Sequence, residues 1–165
     1  MKRTTAIIVA AVAIAVIVIG FVVFYVFTNR PAPSVYVNPQ TVNAIVGQNF
    51  TVDVVTSDVT DLYAWQLRLY WNTTVLDLVN VTEGAFLKSR GETFFSTSME
   101  GNLTLYCALL GNVSGVNGGG ILATVEFHAK IVGNGPLHIY DTVLASNSEQ
   151  TITHTTRDGY FVVTP

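Results

Sequence analysis

The sequence predicts an all-β domain of the sandwich or jelly-roll type behind one N-terminal hydrophobic helix. The strands are indicated by short runs in which apolar and polar residues alternate, separated by Gly, Asn and Asp. The helix is indicated by an uncharged apolar run near the N-terminus. The rest of the chain has no convincing helical period, so we expect two packed antiparallel sheets there.

The N-terminal run covers residues 6–27 and contains no charged side chain. A helix of that length, rising about 1.5 Å per residue, would cross a hydrocarbon core of about 30 Å. Lys2 and Arg3 precede the run and only Arg30 follows closely, which favours an inside N-terminus. The predicted segments are a basic cytoplasmic end (residues 1–5), a transmembrane helix or signal anchor (6–27), a linker (28–35) and an extracellular sandwich (36–165).

A cleaved signal peptide is the alternative for this segment. The run is longer than the roughly 7 to 15 residues of a usual signal-peptide core, and the residues that follow offer no small-x-small cleavage site. We therefore favour an uncleaved anchor. The expected location is the cell membrane, with a single pass and the C-terminal domain outside the cell.

The clearest strand pattern runs from Ala64 to Trp71. Four apolar residues point one way, namely Trp65, Leu67, Leu69 and Trp71, and the residues between them point the other way. Both tryptophans of the protein lie on the apolar side, so we expect this strand at the centre of the core. The other expected core residues are Phe50, Val52, Val54, Val125 and Phe127.

Charge and cysteine content limit the possible functions. Residues 36–165 carry five basic and eleven acidic side chains, a net charge of −6 without a basic stripe, so nucleic acid is not an expected partner. Cys107 is the only cysteine, which excludes an intramolecular disulfide and a multi-cysteine metal site. Because it lies in an apolar run, we expect a buried and inert thiol.

Five asparagines occur in N-x-S/T sequons, in expected turns or on the solvent side of strands. An exported domain can be glycosylated at such positions, although some sequons arise by chance in a chain rich in Asn and Thr. The candidate glycosylation sites are Asn49, Asn72, Asn80, Asn102 and Asn112.

Four stretches occur in a characteristic order along the domain: VGQNFTV (46–52), LYWNTTVLDL (69–78), GILATVEF (120–127) and DGYFVV (158–163). Together they resemble strands of the cohesin domains of cellulosome scaffoldins, over residues 36–163. The resemblance implies a nine-stranded jelly-roll sandwich that acts as a binding module and has no catalytic residues. In cellulosomal cohesins an Asn and an Asp on the central strand help to bind the dockerin. Ala64 and Gln66 occupy the matching positions here, so that contact is not implied.

The resemblance also implies that two polar strand faces lie in one sheet. Alternation places Gln66, Arg68 and Tyr70 outward on one strand. It places Glu126, His128 and Lys130 outward on another. We expect these six side chains to form a single partner-binding platform, with an ordinary solvated face as the alternative.

The sequence shows no arrangement of residues typical of an enzyme. The three histidines lack the spacing of a paired metal site, and no serine lies in a G-x-S-x-G motif. Asp58 and Asp61 could share a calcium ion, but two carboxylates are few for such a site. We expect no catalytic activity, no cofactor and no metal.

Three functional classes remain open. The first, which we favour, is a membrane-anchored cell-surface module that binds a protein or a polysaccharide. The second is a pilin-like subunit whose hydrophobic helix packs in a filament, with a possible homo-oligomer as the assembled form. The third is an accessory subunit of a membrane complex.

Overall fold

The computed structural model describes residues 14–25 and 31–165. The chain divides into two compact units, the first ending at Pro31 and the second spanning Ala32–Pro165, and each is described by itself. The second unit begins before the predicted boundary at residue 36, because Ser34 and Val35 already pair with a central strand and are buried.

The described part of the first unit is a helix, α1, over residues 14–25. Every residue in it is apolar or aromatic, and every residue is exposed. The predicted transmembrane segment 6–27 extends past α1 at both ends, where residues 6–13 and 26–27 lie outside the described residues, as do residues 1–5 and 28–30. Within residues 14–25 and 31–165, no helix is long and apolar enough to cross a membrane.

The second unit contains ten strands and one short helix. Their bounds are β1 (Ser34–Asn38), β2 (Thr41–Ile45), β3 (Asn49–Tyr70), β4 (Leu76–Glu83), α2 (Ala85–Lys88), β5 (Thr93–Glu100), β6 (Asn102–Leu109), β7 (Val116–Ala129), β8 (Gly133–Ser146), β9 (Thr155–Arg157) and β10 (Gly159–Thr164).

The strand β3 belongs to both layers of the sandwich. Its first half pairs with β1 and β7, and β4 and β9 extend that layer at its two edges. Its second half pairs with β8 from Leu62 and with β6 from Ala64, and the strands β5, β10 and β2 complete the second layer. The change of layer falls where the register between β3 and β7 shifts, near Asp58 and Asp61, which both have positive φ.

The core lies between these two layers and contains the predicted residues. Trp65, Leu67, Leu69, Trp71, Val52, Val54, Val125 and Phe127 are all buried, and Phe50 packs against them half-buried. The ring of Trp71 meets that of Phe127 edge-on at 5.0 Å between centroids, and its indole N–H donates to the carbonyl of Leu76 at 3.0 Å. The core prediction is confirmed.

The all-β sandwich is confirmed, but the strand count of nine is wrong, because the structure has ten strands. Two of the ten are short edge strands that pair in parallel with distant parts of the chain, β2 with β10 and β9 with β1. The strand β9 has three exposed residues and hence no apolar alternation that a sequence could display.

Candidate functional site

The predicted platform of six side chains does not form. Gln66, Arg68 and Tyr70 lie on the second half of β3, between β6 and β8. Glu126, His128 and Lys130 lie on β7, which pairs with the first half of β3 and with β4. Because the inward residues of both strands meet in one core, their outward residues lie on opposite faces of the sandwich. The expectation that one sheet carries all six is wrong.

We call the outward side of β5, β6, the second half of β3 and β8 the docking face. Near its centre is an open, mostly apolar hollow of about 280 Å³. Its outward lining comes from all four strands and consists of Ala64, Gln66, Phe94, Tyr106, Ala108, Val143 and Ala145, with Trp65 and Cys107 at its base. Phe94 is 55% exposed and Val143 is 43% exposed. These two side chains therefore add exposed apolar surface to the rim of the hollow.

The small side chains of the central strands create the hollow. Ala64 lies opposite Ala108 on β6 and Ala145 on β8. Larger neighbours stand around these alanines: Phe94 is opposite Ala108 on the edge strand, and Tyr106 and Val143 both flank Gln66. Of the lining residues, sequence reasoning named only Gln66 as a candidate. Along β6, Thr104, Tyr106 and Ala108 alternate with buried residues. This alternation is the sequence signal that would have identified the outward side of β6.

A polar and aromatic region borders the hollow on the same face. The guanidinium Nε of Arg68 lies 3.4 Å from a carboxylate oxygen of Asp141, and both side chains are about half exposed. Tyr70 is directly opposite His138 on β8. The ring of His138 stacks on that of Tyr140 at 5.7 Å, so aromatic and charged groups alternate along this border.

His138 is held in place by Asp158, in the closing segment of the chain. Its Nδ1 lies 2.6 Å from one carboxylate oxygen of Asp158, and the other oxygen accepts the backbone N–H of Ile139 at 3.0 Å. Both side chains are about half exposed. One carboxylate therefore holds both the His138 ring and the backbone of the next residue.

The opposite face carries the other three candidates in two small polar groups. The amide of Asn49 donates to Glu126 at 3.1 Å and its oxygen meets Nδ1 of His128 at 2.7 Å. Lys130 forms an ion pair with Asp77 at 2.8 Å and donates to a backbone carbonyl. The side chains of these two groups are thus bonded mainly to one another and to the backbone.

The carboxylate of Glu83 and the thiol of Cys107 meet at the base of the hollow. Burial opposes ionisation of Glu83, but hydrogen bonds from Thr93, Lys88 and Cys107 and the charge of Lys88 outweigh it and lower the pKa of the carboxyl. Burial, together with the nearby Glu83 charge, raises the pKa of the Cys107 thiol to about 12. The thiol donates to Glu83 at 3.4 Å, so Cys107 is buried as expected from the sequence.

The five sequon asparagines differ in how their side chains are used. Asn49 is bonded on both its amide nitrogen and its oxygen, as described above. The oxygen of Asn72 accepts the backbone N–H of Thr74 at 3.0 Å, which closes the turn after β3. Asn80 and Asn112 are exposed and Asn102 is half-buried at the start of β6. Glycosylation of these positions remains a prediction.

The two aspartates considered for calcium lie at the bend of β3. The carboxylate of Asp61 accepts the backbone N–H of Gly115 at 2.8 Å and that of Asn147 at 3.3 Å. Its oxygens therefore join three segments of chain at this end of the sandwich. Across residues 14–25 and 31–165, no group of three or more His, Cys, Asp or Glu side chains is arranged to hold a metal ion.

Comparison with known proteins agrees with this architecture. The cohesin domain family model matches residues 35–163. No curated protein sequence matches the chain. Among solved structures, the non-cellulosomal cohesin from the hyperthermophilic archaeon Archaeoglobus fulgidus superposes with a TM-score of 0.69 at 20% identity, covering 82% of this chain and 93% of that one.

Cohesins solved as complexes with dockerins are also similar in structure. The sixth cohesin of scaffoldin B from Acetivibrio cellulolyticus gives a TM-score of 0.68 at 14% identity, covering 81% of this chain and all of that one. A type I cohesin from Clostridium thermocellum gives 0.66 at 12% identity, with 81% and 100% covered. At these identities the structural matches establish the fold, while the family model spans most of the sequence. The chain therefore belongs to the cohesin family.

Proposed function

We propose that this protein is a membrane-anchored, extracellular cohesin module whose docking face binds a dockerin-like protein. The observation that carries the proposal is the apolar hollow, which lies on the sheet that the sequence resemblance associated with dockerin contact. Similar domains have been solved in complex with dockerins, which supports a protein as the partner. Cohesins are binding modules, in keeping with the expectation of no catalysis.

The chemistry of the face defines the kind of partner surface that would fit. The two positions that are polar in cellulosomal cohesins are Ala64 and Gln66 here, and Ala64 lines the hollow. Contact at the centre would therefore bury apolar surface, with Arg68 and Tyr70 at the border supplying polar and aromatic contacts. We expect a partner that inserts an aliphatic or aromatic side chain over Ala64, Ala108 and Ala145.

The test compares two variants with the same substitution. Val143→Arg places a charge in the hollow, and Val79→Arg places it on β4 in the other layer, where Val79 is 48% exposed against 43% for Val143. Immobilised domain of each kind is used to recover proteins from the surface fraction of the host, and recovered proteins are identified by mass spectrometry. We expect Val143→Arg, but not Val79→Arg, to lose a dockerin-like protein. Recovery by both variants, or loss by both, would contradict the assignment of the face.

A polysaccharide is the second candidate partner, favoured by the border of the docking face. Tyr70, His138 and Tyr140 present aromatic rings beside the charged groups of Arg68 and Asp141, a combination that offers both stacking and hydrogen bonding. Electrophoresis of the domain through gels containing host cell-wall polysaccharide tests this. Retardation of wild type that is abolished by Tyr140→Ala would support sugar binding, and equal mobility with and without the polysaccharide would exclude it.

Membrane anchoring and export complete the proposal. The residues of α1 are apolar all round and exposed, so the helix presents apolar surface that a membrane would cover. Protease added to whole cells is expected to release the domain by cleavage near residue 30 while the N-terminus stays protected. Resistance until the membrane is permeabilised would show that the domain is inside and would remove the basis for glycosylation.

A further inference from the structure

The strand β5 forms one edge of the docking face and has no strand on its outer side within residues 31–165. In this part of the chain four strands pair on one side only: β2, β4, β5 and β9. Natural proteins protect such edges by keeping them short or by adding charges, prolines or bulges, because unpaired backbone groups can pair with another chain.

The other three edges have this protection, and β5 does not. The strand β9 has three residues and β2 has five. The strand β4 has a bulge between Leu78 and Asn80 and carries the charged Asp77. The strand β5 runs for eight residues, TFFSTSME, in unbroken register with β6, and no charge or proline occurs before its last residue.

The backbone groups that β5 presents to solvent follow from its pairing with β6. The N–H of Leu110 donates to the carbonyl of Glu92 at 2.9 Å, so these two residues form a hydrogen-bonded pair just before β5. Because hydrogen-bonded positions alternate along an antiparallel ladder, Phe94, Ser96 and Ser98 also direct their N–H and C=O groups towards β6. The residues with outward backbone groups are therefore Thr93, Phe95, Thr97 and Met99.

We propose that β5 pairs antiparallel with β5 of a second copy of this chain, so that the docking faces of two molecules join in one continuous sheet. A second copy fits this edge because the strand is complementary to itself. When Ser96 faces Ser96 of the second copy, Thr93 is opposite Met99 and Phe95 is opposite Thr97. All four outward residues of each chain then find partners at once, giving about eight hydrogen bonds across a two-fold axis.

The side chains in this register are compatible. Phe94 would lie opposite Ser98 of the second copy on the docking face, and Glu100 at the end of β5 is the one charged residue of the strand. The flanking Glu92 would approach Glu100 of the second copy, and each domain carries a net charge of −6. Because salt screens this repulsion, we expect association to strengthen as ionic strength rises.

The register is tested by disulfide trapping. Ser96 would lie at a non-hydrogen-bonded position on the axis, where facing Cα atoms are about 4.5 Å apart, a distance that a disulfide can span. Ser98 is the matched control, because it is half-buried like Ser96 but would be about 13 Å along the strand from its own counterpart. The native Cys107 is buried, and its thiol does not compete.

The experiment uses the domain Ala32–Pro165, which is a separate compact unit containing the whole described core. Under mild oxidation we expect Ser96→Cys to become mainly a disulfide-linked dimer and Ser98→Cys to remain mainly monomeric. In sedimentation equilibrium we expect wild type to dimerise. Thr97→Pro should weaken that dimer at least tenfold, because it removes an outward N–H and no bond to β6. Its circular dichroism spectrum provides the check on folding.

Selective trapping of Ser96→Cys together with weakened association of Thr97→Pro supports the edge-to-edge dimer. Equal trapping of both cysteine variants overturns it. A wild-type domain that stays monomeric at high salt, together with no trapping of Ser96→Cys, also overturns it. Dimerisation that Thr97→Pro leaves unchanged assigns the interface to another surface and also overturns the proposal.

Discussion

Gly84 links β4 to α2 at a point where the backbone of β7 leaves no room for a side chain. A Cβ atom added there would lie 2.0 Å from the carbonyl oxygen of Ile121 and 2.4 Å from its carbon. These are backbone atoms of a strand paired on both sides, so they cannot turn aside as a side chain would. The N–H of Gly84 also donates to the carbonyl of Leu122 at 2.9 Å.

We therefore expect Gly84→Ala to destabilise the domain by separating β7 from the start of α2. Relief of the clash needs a shift of about 1 Å or more, which places the cost in the range of overpacked cores. The hydrogen bond to Leu122 is strained or lost as well. Together these effects amount to about 2 to 4 kcal/mol. The backbone dihedrals of Gly84 are φ −73° and ψ 163°, which alanine adopts freely, so backbone strain adds nothing to the loss.

Gly91 provides the control, since a Cβ atom there meets nothing within 4 Å. We expect Gly91→Ala to change the free energy of unfolding by less than about 0.5 kcal/mol. Urea unfolding of the domain, followed by the fluorescence of the buried Trp65 and Trp71, measures both variants. Equal stability of Gly84→Ala and wild type would refute the reasoning, as would a comparable loss in Gly91→Ala.

Three further predictions concern the core and the groups beneath the hollow. Trp65→Ala should cost about 3 to 5 kcal/mol and lower the melting temperature sharply, because Trp65 is 3% exposed and packs against Phe95. Cys107 should resist iodoacetamide at pH 8 in the folded domain and react in denaturant, because its thiol pKa is raised to about 12. The lowered pKa of Glu83 stabilises the folded domain at neutral pH; this contribution begins to fall near the ordinary pKa of 4.5 and is lost as the pH drops through the lowered pKa. Acid unfolding of Glu83→Gln should accordingly be less steep than that of wild type, and identical acid limbs would contradict this.

Much of the fold could be predicted because alternation reports directly on burial. Trp65 and Trp71 are spaced by an even number of residues, and a strand of period two must place them on one side. The same rule identified Val125 and Phe127 as core residues without any knowledge of their neighbours. Because several short alternating runs were separated by Gly, Asn and Asp, the all-β class followed.

The candidate site was harder to predict because alternation does not identify the strand that lies alongside. Residues 49–70 form one strand that changes layer, so β7 pairs with its first half and β6 with its second. Nothing in the local pattern distinguishes the two halves, apart from Asp58 and Asp61, whose positive φ angles mark the bend. The hollow was missed for a related reason: its alanines are prominent only once three strands lie side by side.

The passage of β3 through both layers also determines how the domain would bear a mechanical load. A pull on the N-terminal side enters through β1, which pairs with the first half of β3 and, in parallel, with β9. A partner bound to the docking face would pull on the second half of β3, and no loop separates this half from the first. Force along β1 runs parallel to the strands of the β1–β3 ladder. It would therefore shear all five residue pairs of that ladder together instead of opening them one at a time. Detachment would thus require all of these pairs to break in one step, and the rate of that step would set how long the domain withstands the force.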